Sequence, residues 1–159
     1  MRNLFTILVL TITASLIAQT HEITKHDGKT MELNFIKTEN NLVYYTSAES
    51  SEEKKISRFA IYQLHDKSKK EAKTVSEKIE LSGKADYKKV IVLKPFQTEG
   101  LQESGVITSF LGRTKGETNQ SFLDQAEKRL KQNAALKGSQ FIVIISDKPK
   151  ELKAVMYTY

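Results

Sequence analysis

The stretch SFLDQAEKRLKQNAALKGSQFIVII, residues 121–145, decides the fold that this sequence predicts. Its first part spaces apolar side chains as an amphipathic helix does. Those side chains are Phe122, Leu123, Ala126, Leu130 and Ala134. We expect Ser121 to cap the helix, and Gly138 to end it in a left-handed conformation. The unbroken apolar run over residues 141–145 then predicts a strand that is buried on both faces.

Predicted strands flank this helix on both sides. Residues 89–93 form a β-branched run that Pro95 stops, because proline cannot donate to a ladder. Residues 105–111 and 152–159 alternate in the manner of strands. Together these elements predict a ββαββ module over residues 83–159, with one amphipathic helix packed on a small sheet.

The N-terminal half of the chain predicts a β-meander over residues 21–65. Gly28 favours a hairpin turn, and Asn40-Asn41 favours a second turn because Asn tolerates the left-handed region. Residues 66–82 are highly charged and hold few apolar side chains, which predicts a linker or an exposed helix. The predicted class is therefore α+β, an N-terminal antiparallel β-meander followed by the ββαββ module.

Small apolar residues of the C-terminal half carry a resemblance to known proteins. The motifs are Glu99-Gly100-Leu101, Ser104-Gly105-Val106, Ala126 with Leu130, Ala134-Ala135, Gly138-Ser139 and the run over residues 141–144. This half resembles the RcsF-like and YbjQ-like α+β domains of uncharacterised small exported bacterial envelope proteins. The resemblance implies an envelope module and carries over no functional residue. The chain departs from the pattern at Ser139-Gln140, where those domains have Ala and Asn.

Residues 1–20 have the pattern of an export signal. Arg2 supplies the positive charge, residues 4–17 are apolar and uncharged, and Ala18-Gln19-Thr20 offers small residues to a peptidase. Cleavage can follow Ala18 or Thr20. The apolar run is shorter than the ~20 residues that span a bilayer. We therefore expect an exported protein, periplasmic or secreted, soluble or peripherally attached, with no transmembrane segment in the mature chain.

The chain contains no cysteine. This excludes disulfides, thiolate metal sites and a cysteine nucleophile. It also excludes a lipid-modified cysteine at the end of the signal, so the protein is not expected to be a lipoprotein.

The net charge is modestly positive. The chain has 25 basic residues, Arg2 among them, and 19 acidic residues, so the charge of +6 falls to +5 when the signal is removed. Such a charge favours anionic surfaces such as lipid headgroups, lipopolysaccharide or nucleic acid. The alternative is that the mixed charges only aid solubility, because no long run is purely basic. Nucleic acid is not expected as a partner, because no aromatic residues are interleaved in the lysine cluster described below for base stacking.

Four residues near the mature N-terminus are candidate metal ligands. Imidazole and carboxylate groups suit zinc, copper or nickel, and the first predicted hairpin can bring such groups together. The candidates are His21, Glu22, His26 and Asp27. The alternative is that these polar residues only fill an exposed end and a turn.

Lysines of the charged segment form a candidate surface for anions such as lipid headgroups or polysaccharide. They are Lys67, Lys69, Lys70 and Lys73, with Lys54, Lys55 and Arg58 upstream. Asp66 and Glu71 interrupt the cluster, so a solvated face is the alternative.

No catalytic motif is present. The sequence has neither a G-x-S-x-G elbow nor a Gly-rich phosphate loop, and no cofactor is predicted. The leading hypothesis is a non-catalytic envelope module that binds a protein or a surface. A metal- or small-ligand-binding accessory protein is the alternative, and an enzyme of unknown type is the third.

Overall fold

The computed structural model describes residues 20–47, 50–110, 112, 116, 118–146 and 151–159. Apart from Thr20, the predicted export signal lies outside the described residues. Within them the chain forms ten strands and one α-helix, α1 (Asn119–Leu136). The strands are β1 (His21–Lys25), β2 (Thr30–Glu39), β3 (Leu42–Ser47), β4 (Ser50–Ser57), β5 (Ile61–Asp66), β6 (Glu71–Thr74), β7 (Ile91–Val92), β8 (Gln102–Phe110), β9 (Phe141–Ile144) and β10 (Glu151–Thr158).

The first six strands form one antiparallel sheet in the order β4-β3-β2-β1-β5-β6. Gly28 has a φ of 83° in the β1–β2 turn, and Asn40 and Asn41 have φ of 53° and 62° in the β2–β3 turn. These residue types tolerate positive φ, so the two turns form where the sequence predicts them. The buried side chains of this sheet are Ile23, Leu33, Val43, Ile56, Ala60 and Ile61.

Two segments of this sheet differ from the sequence-based expectation. The acidic stretch over residues 47–53 has the composition of a loop, but β4 begins at Ser50 and pairs with β3. The segment 66–82, expected to be a linker or helix, contains β6, which pairs with β5. Ladder hydrogen bonds to a neighbouring strand outweigh the weak strand preference of charged residues in both places.

The remaining strands form a second sheet in the order β7-β9-β10-β8, in which only the β7–β9 pair is parallel. Helix α1 lies between β8 and β9 in the chain and packs on one face of this sheet. Its buried residues Ala126, Leu130 and Ala134 contact a layer of sheet residues. That layer consists of Ile107, Ile142, Leu152, Ala154 and Met156. The α+β class predicted from the sequence is confirmed by these two sheets and the helix.

Helix α1 begins three residues earlier than its sequence predicts. Thr118, and not Ser121, is the N-cap, and its Oγ1 accepts a hydrogen bond from the Ser121 backbone N–H at 3.2 Å. Gly138 has a φ of 74°, and the Ser139 N–H donates to the Ala134 carbonyl at 2.9 Å. This hydrogen bond, from a backbone N–H to the carbonyl five residues earlier, is typical of a helix that ends in a left-handed residue, the Schellman motif.

The two sheets pack against each other through an apolar interface, which we call the joint. It lies on the face of the second sheet that the helix does not cover. Phe141 and Val143 of β9 pack there with Phe59 and Leu101, and Leu101 also packs on the core of the first sheet. The Ile79 N–H donates to the Tyr159 hydroxyl at 2.9 Å. The halves of the chain are therefore held together by a continuous core. Among the described residues, the single α-helix is too polar to be a candidate membrane span.

Candidate functional site

A cleft of about 450 Å³ opens on the first sheet, where β1, β2, β5 and β6 converge with the short helical turn at Arg58–Ala60. Its apolar floor includes Phe35 and Leu64, which are half-buried members of the core of that sheet. Among the described residues, four charged side chains and one imidazole stand around this floor. They are His21, Arg58, Asp66, Glu71 and Lys73.

Arg58 supplies a half-buried cation at one end of the cleft. Its Nη2 donates to the Val75 carbonyl at 3.2 Å, and its Nε is buried without a hydrogen-bond partner. No carboxylate among the described residues lies within 4.0 Å of this guanidinium as an ion-pair partner. A guanidinium has five donors, so the fold itself uses little of the hydrogen-bonding capacity of Arg58.

Acidic groups occupy the other end of the cleft. Asp66 and Glu71 are direct cross-strand partners on β5 and β6. The pKa of Asp66 lies below its ordinary value, mainly because the Ser68 hydroxyl donates to its carboxylate at 2.6 Å and the backbone N–H groups of Lys69 and Ser68 also donate to it. This carboxylate is therefore ionised at neutral pH, and the end of the cleft is negative.

His21 lies beside these acids and has a partner on each ring nitrogen. Its Nδ1 is 2.7 Å from the hydroxyl of Thr20, and its Nε2 is 3.8 Å from the Asp66 carboxylate. The second distance exceeds that of a hydrogen bond, so the contact is an ion pair only when the imidazole is protonated. Phe35 packs against the imidazole with ring centroids 5.5 Å apart.

The structure does not gather the four candidate metal ligands at one point. His21 and Glu22 are consecutive residues of β1, so their side chains lie on opposite faces of the sheet. His26 lies beyond the other end of the strand, and Asp27 contacts Lys29 in the hairpin turn at 3.2 Å. No group of three His, Asp or Glu side chains in the described ranges is arranged to hold a metal ion. The metal site stays a prediction.

His26 takes part in the joint between the two sheets. Its Nε2 is 2.9 Å from the Ser76 hydroxyl, and its ring centroid is 4.4 Å from that of Tyr159. The Ser76 hydroxyl donates its one proton to the Ile61 carbonyl at 2.8 Å, so the imidazole is the donor to Ser76. Burial, and then the charge of Lys78, lowers the pKa of His26.

The four candidate anion-binding lysines lie around the β5–β6 turn with different surroundings. Lys67 pairs with Glu32, and Lys69 lies 3.8 Å from Asp66. Lys70 has a φ of 55° in the turn itself. Lys73, on β6 beside Leu64, lines the cleft. The fold therefore separates Lys73 from the other three and brings it to the same cleft as Arg58.

A second candidate surface is the outer face of the second sheet, which we define as Val106, Phe110, Ile145, Val155 and the ion pair Glu151–Lys153. The exposed fractions of Val106, Phe110 and Ile145 are 54%, 65% and 57%. Val106 pairs with Val155, and Val155 pairs with the buried Val143, so this face continues the joint between the sheets. The first sheet covers the part of this side of the second sheet that carries Phe141 and Val143. It leaves the part defined above as the outer face exposed.

Three of the four sheet edges that the described residues form are short or charged, and one end of the fourth is covered. Edge strand β4 carries Glu52, Glu53, Lys54 and Lys55, while β6 and β7 have only four and two residues. On β8, the carbonyls of Phe110 and Thr108 accept hydrogen bonds from Arg129 and Asn133 of α1 at 2.8 and 3.5 Å. Short, charged or covered edges discourage pairing with a further strand. The faces of the sheets are therefore the more accessible binding surfaces.

The comparisons with known proteins give no match: no protein-family model matches the chain, and no curated protein or solved structure does so.

Sequence reasoning misses most of the cleft. It identifies Arg58 only as a basic residue upstream of the lysines, and it treats Asp66 and Glu71 as interruptions of that cluster. It includes Phe35 only within the predicted β-meander. The cleft depends on the order of β1, β2, β5 and β6 across the sheet, and no spacing within the sequence encodes that order.

Proposed function

We propose that this chain is an exported, non-catalytic module of the cell envelope that binds a partner protein through the outer face of its second sheet. The proposal includes a periplasmic or secreted location and a ββαββ module over residues 83–159 that presents this face. The resemblance to small envelope domains supports the same class of protein.

The observation that carries the proposal is the exposure of three large apolar side chains on one sheet face. Phe110, Ile145 and Val106 are each more than half exposed, and Val155 lies between strands that carry them. Large apolar side chains exposed together on one sheet face mark protein interaction sites. Aromatic side chains such as Phe110 are enriched in protein interfaces.

The charge of the outer face favours a protein over an anionic surface. Glu151 and Lys153 pair at 3.1 Å and cancel each other, and the other members of this face are uncharged. An anionic lipid or polysaccharide surface gains no net Coulomb attraction from a face without net charge. A protein with an apolar patch and a polar rim is complementary to it.

Site-specific photo-crosslinking in the native cell tests this proposal. A photo-reactive phenylalanine analogue placed at position 110 is expected to give one discrete adduct whose mass differs from that of a dimer of the chain. The same analogue at position 136 is the matched control, because Leu136 is 67% exposed on the helix but lies outside the outer face. Ile145→Ser is expected to reduce the adduct at position 110 at least fivefold.

Three outcomes overturn the proposal. The first is the absence of any adduct from position 110, and the second is the same set of adducts from positions 110 and 136. An adduct with twice the mass of the chain is the third, since it assigns the outer face to self-association.

A further inference from the structure

We propose that the cleft of the first sheet binds a short peptide of three to four residues, with its free carboxylate at Arg58 and its free ammonium at Asp66 and Glu71. This site is separate from the outer face of the second sheet, so it does not depend on the proposed function.

The cationic end of the cleft is suited to a carboxylate. Arg58 donates a hydrogen bond to the Val75 carbonyl and has no carboxylate partner within the described residues. A planar guanidinium binds a carboxylate through two parallel hydrogen bonds. Lys73, on β6 opposite Leu64, lines the middle of the cleft, and no described acidic side chain pairs with it.

The acidic end is suited to an ammonium. The carboxylates of Asp66 and Glu71 stand opposite each other on adjacent strands, where like charges destabilise unless a cation lies near. Lys69 and His21 each approach Asp66 only to 3.8 Å, and the side chain of Lys69 is 70% exposed. A bound primary amine would therefore reduce the repulsion between these two acids. The same acids repel a polyanion, which excludes ligands of high negative charge.

The distance between the two ends sets the length of the ligand. Val75, which holds the Arg58 guanidinium, and Glu71 are four residues apart along the chain. At about 3.3 Å per extended residue the backbones of these two positions are roughly 13 Å apart, and we take this separation as the length of the site, which suits a tripeptide or tetrapeptide. Phe35 and Leu64 provide the apolar floor beneath the middle of such a peptide. A single amino acid is too short to reach both ends.

Isothermal titration calorimetry of the purified protein tests this proposal with defined probes. Trialanine is expected to bind, whereas its C-terminal amide and its N-acetyl form, each lacking one charge, are expected to bind at least tenfold more weakly. Alanine and inorganic phosphate are expected to bind at least tenfold more weakly than trialanine.

Two variants test which side chains bind the carboxylate and which bind the ammonium of the peptide. Arg58→Gln is expected to weaken trialanine binding at least tenfold and to leave the affinity for the amide unchanged. Glu71→Gln, at an exposed position, is expected to weaken trialanine binding at least threefold and to leave the affinity for the N-acetyl form unchanged. Arg129→Gln is the matched control, because Arg129 also donates to a carbonyl, that of Phe110, but lies in the other half of the chain.

Equal affinity for trialanine and both of its blocked forms overturns the proposal, as does the absence of binding at millimolar peptide. An affinity for phosphate equal to that for trialanine also overturns the proposal, because it indicates a simple anion site. If Arg58→Gln fails to fold, Glu71→Gln and the blocked peptides still decide the question. None of these measurements involves Phe110 or Ile145, so failure here leaves the proposed function standing.

Discussion

Gly100 occupies a position where the chain has no room for a side chain. Its φ is +82°, and a Cβ atom added there would lie 2.6 Å from Cγ1 and 2.8 Å from Cδ1 of Ile56. Gly100 lies in the segment that enters β8, and Ile56 belongs to the core of the first sheet. Close approach of the two halves at this point requires glycine for both its conformation and its size.

Gly100→Ala is therefore expected to lower the free energy of unfolding more than Gly28→Ala does. Gly28→Ala is the control, since Gly28 has a φ of +83° and a methyl group added there would meet open space. The left-handed conformation costs about 1–2 kcal/mol in both variants, and overpacking adds about 1–3 kcal/mol in Gly100→Ala alone. Urea unfolding measures both free energies, and equal losses would contradict the steric argument.

The lowered pKa of His26 predicts a loss of stability in mild acid. Between the ordinary histidine value of 6.5 and the lower folded pKa, the unfolded chain binds a proton that the folded chain does not. The free energy of unfolding is therefore expected to fall as the pH decreases from 7 to 5. His26→Gln, which keeps a donor toward Ser76, is expected to flatten this slope in urea titrations at several pH values. An unchanged slope would show that other groups cause the dependence.

At the scale of the elements, helix α1 is held to the second sheet by a single stripe of side chains. Leu130 is fully buried in this stripe, whereas Leu136 at the end of the helix is 67% exposed. Leu130→Ala is expected to reduce the free energy of unfolding by about 2–5 kcal/mol. Leu136→Ala is expected to change it by less than about 0.5 kcal/mol. Loss of the helical circular dichroism signal in urea measures both values, and comparable effects would contradict this packing.

The elements differ in how far their sequence predicts them. The helix and β9 follow from local periodicity, because Leu130 and its neighbours recur at helical spacing and the run from Phe141 is uninterrupted. The predicted cap is wrong because Thr118 and Ser121 are both suitable, and only the structure shows which hydroxyl accepts the hydrogen bond. Strand β6 and the cleft depend on pairing between distant segments. Lys73 reaches the cleft because it faces Leu64 across the ladder, which no local pattern indicates.

At the scale of the whole molecule, the two sheets share one apolar joint. Phe59 of the first half and Phe141 of the second have ring centroids 5.6 Å apart, and Phe141 meets Tyr159 edge to face at 5.3 Å. Aromatic pairs with this geometry stabilise beyond the area that they bury. The halves are therefore coupled through side chains that neither half can bury alone.

This coupling predicts that the whole chain unfolds in one cooperative transition. Hydrogen exchange followed by mass spectrometry is expected to show that peptides containing Ile23 and Ile142 lose protection at the same urea concentration. Tyr159→Ala removes the hydroxyl partner of the Ile79 N–H and two ring contacts, so it is expected to separate the two midpoints. Separate midpoints in the unmodified chain would contradict a shared core.

The joint at Tyr159 also imposes an order in time. The first sheet needs only residues up to Thr74 for its ladders, so it can form before the rest of the chain folds. The Ile79 N–H and the Tyr159 hydroxyl are 80 positions apart in sequence, so their hydrogen bond forms only once the last strand is in place. Contacts of such long sequence separation form late. A chain in which β9 and β10 have not yet folded therefore leaves Phe59 uncovered, and exposed apolar surface of this kind makes such a species prone to aggregation.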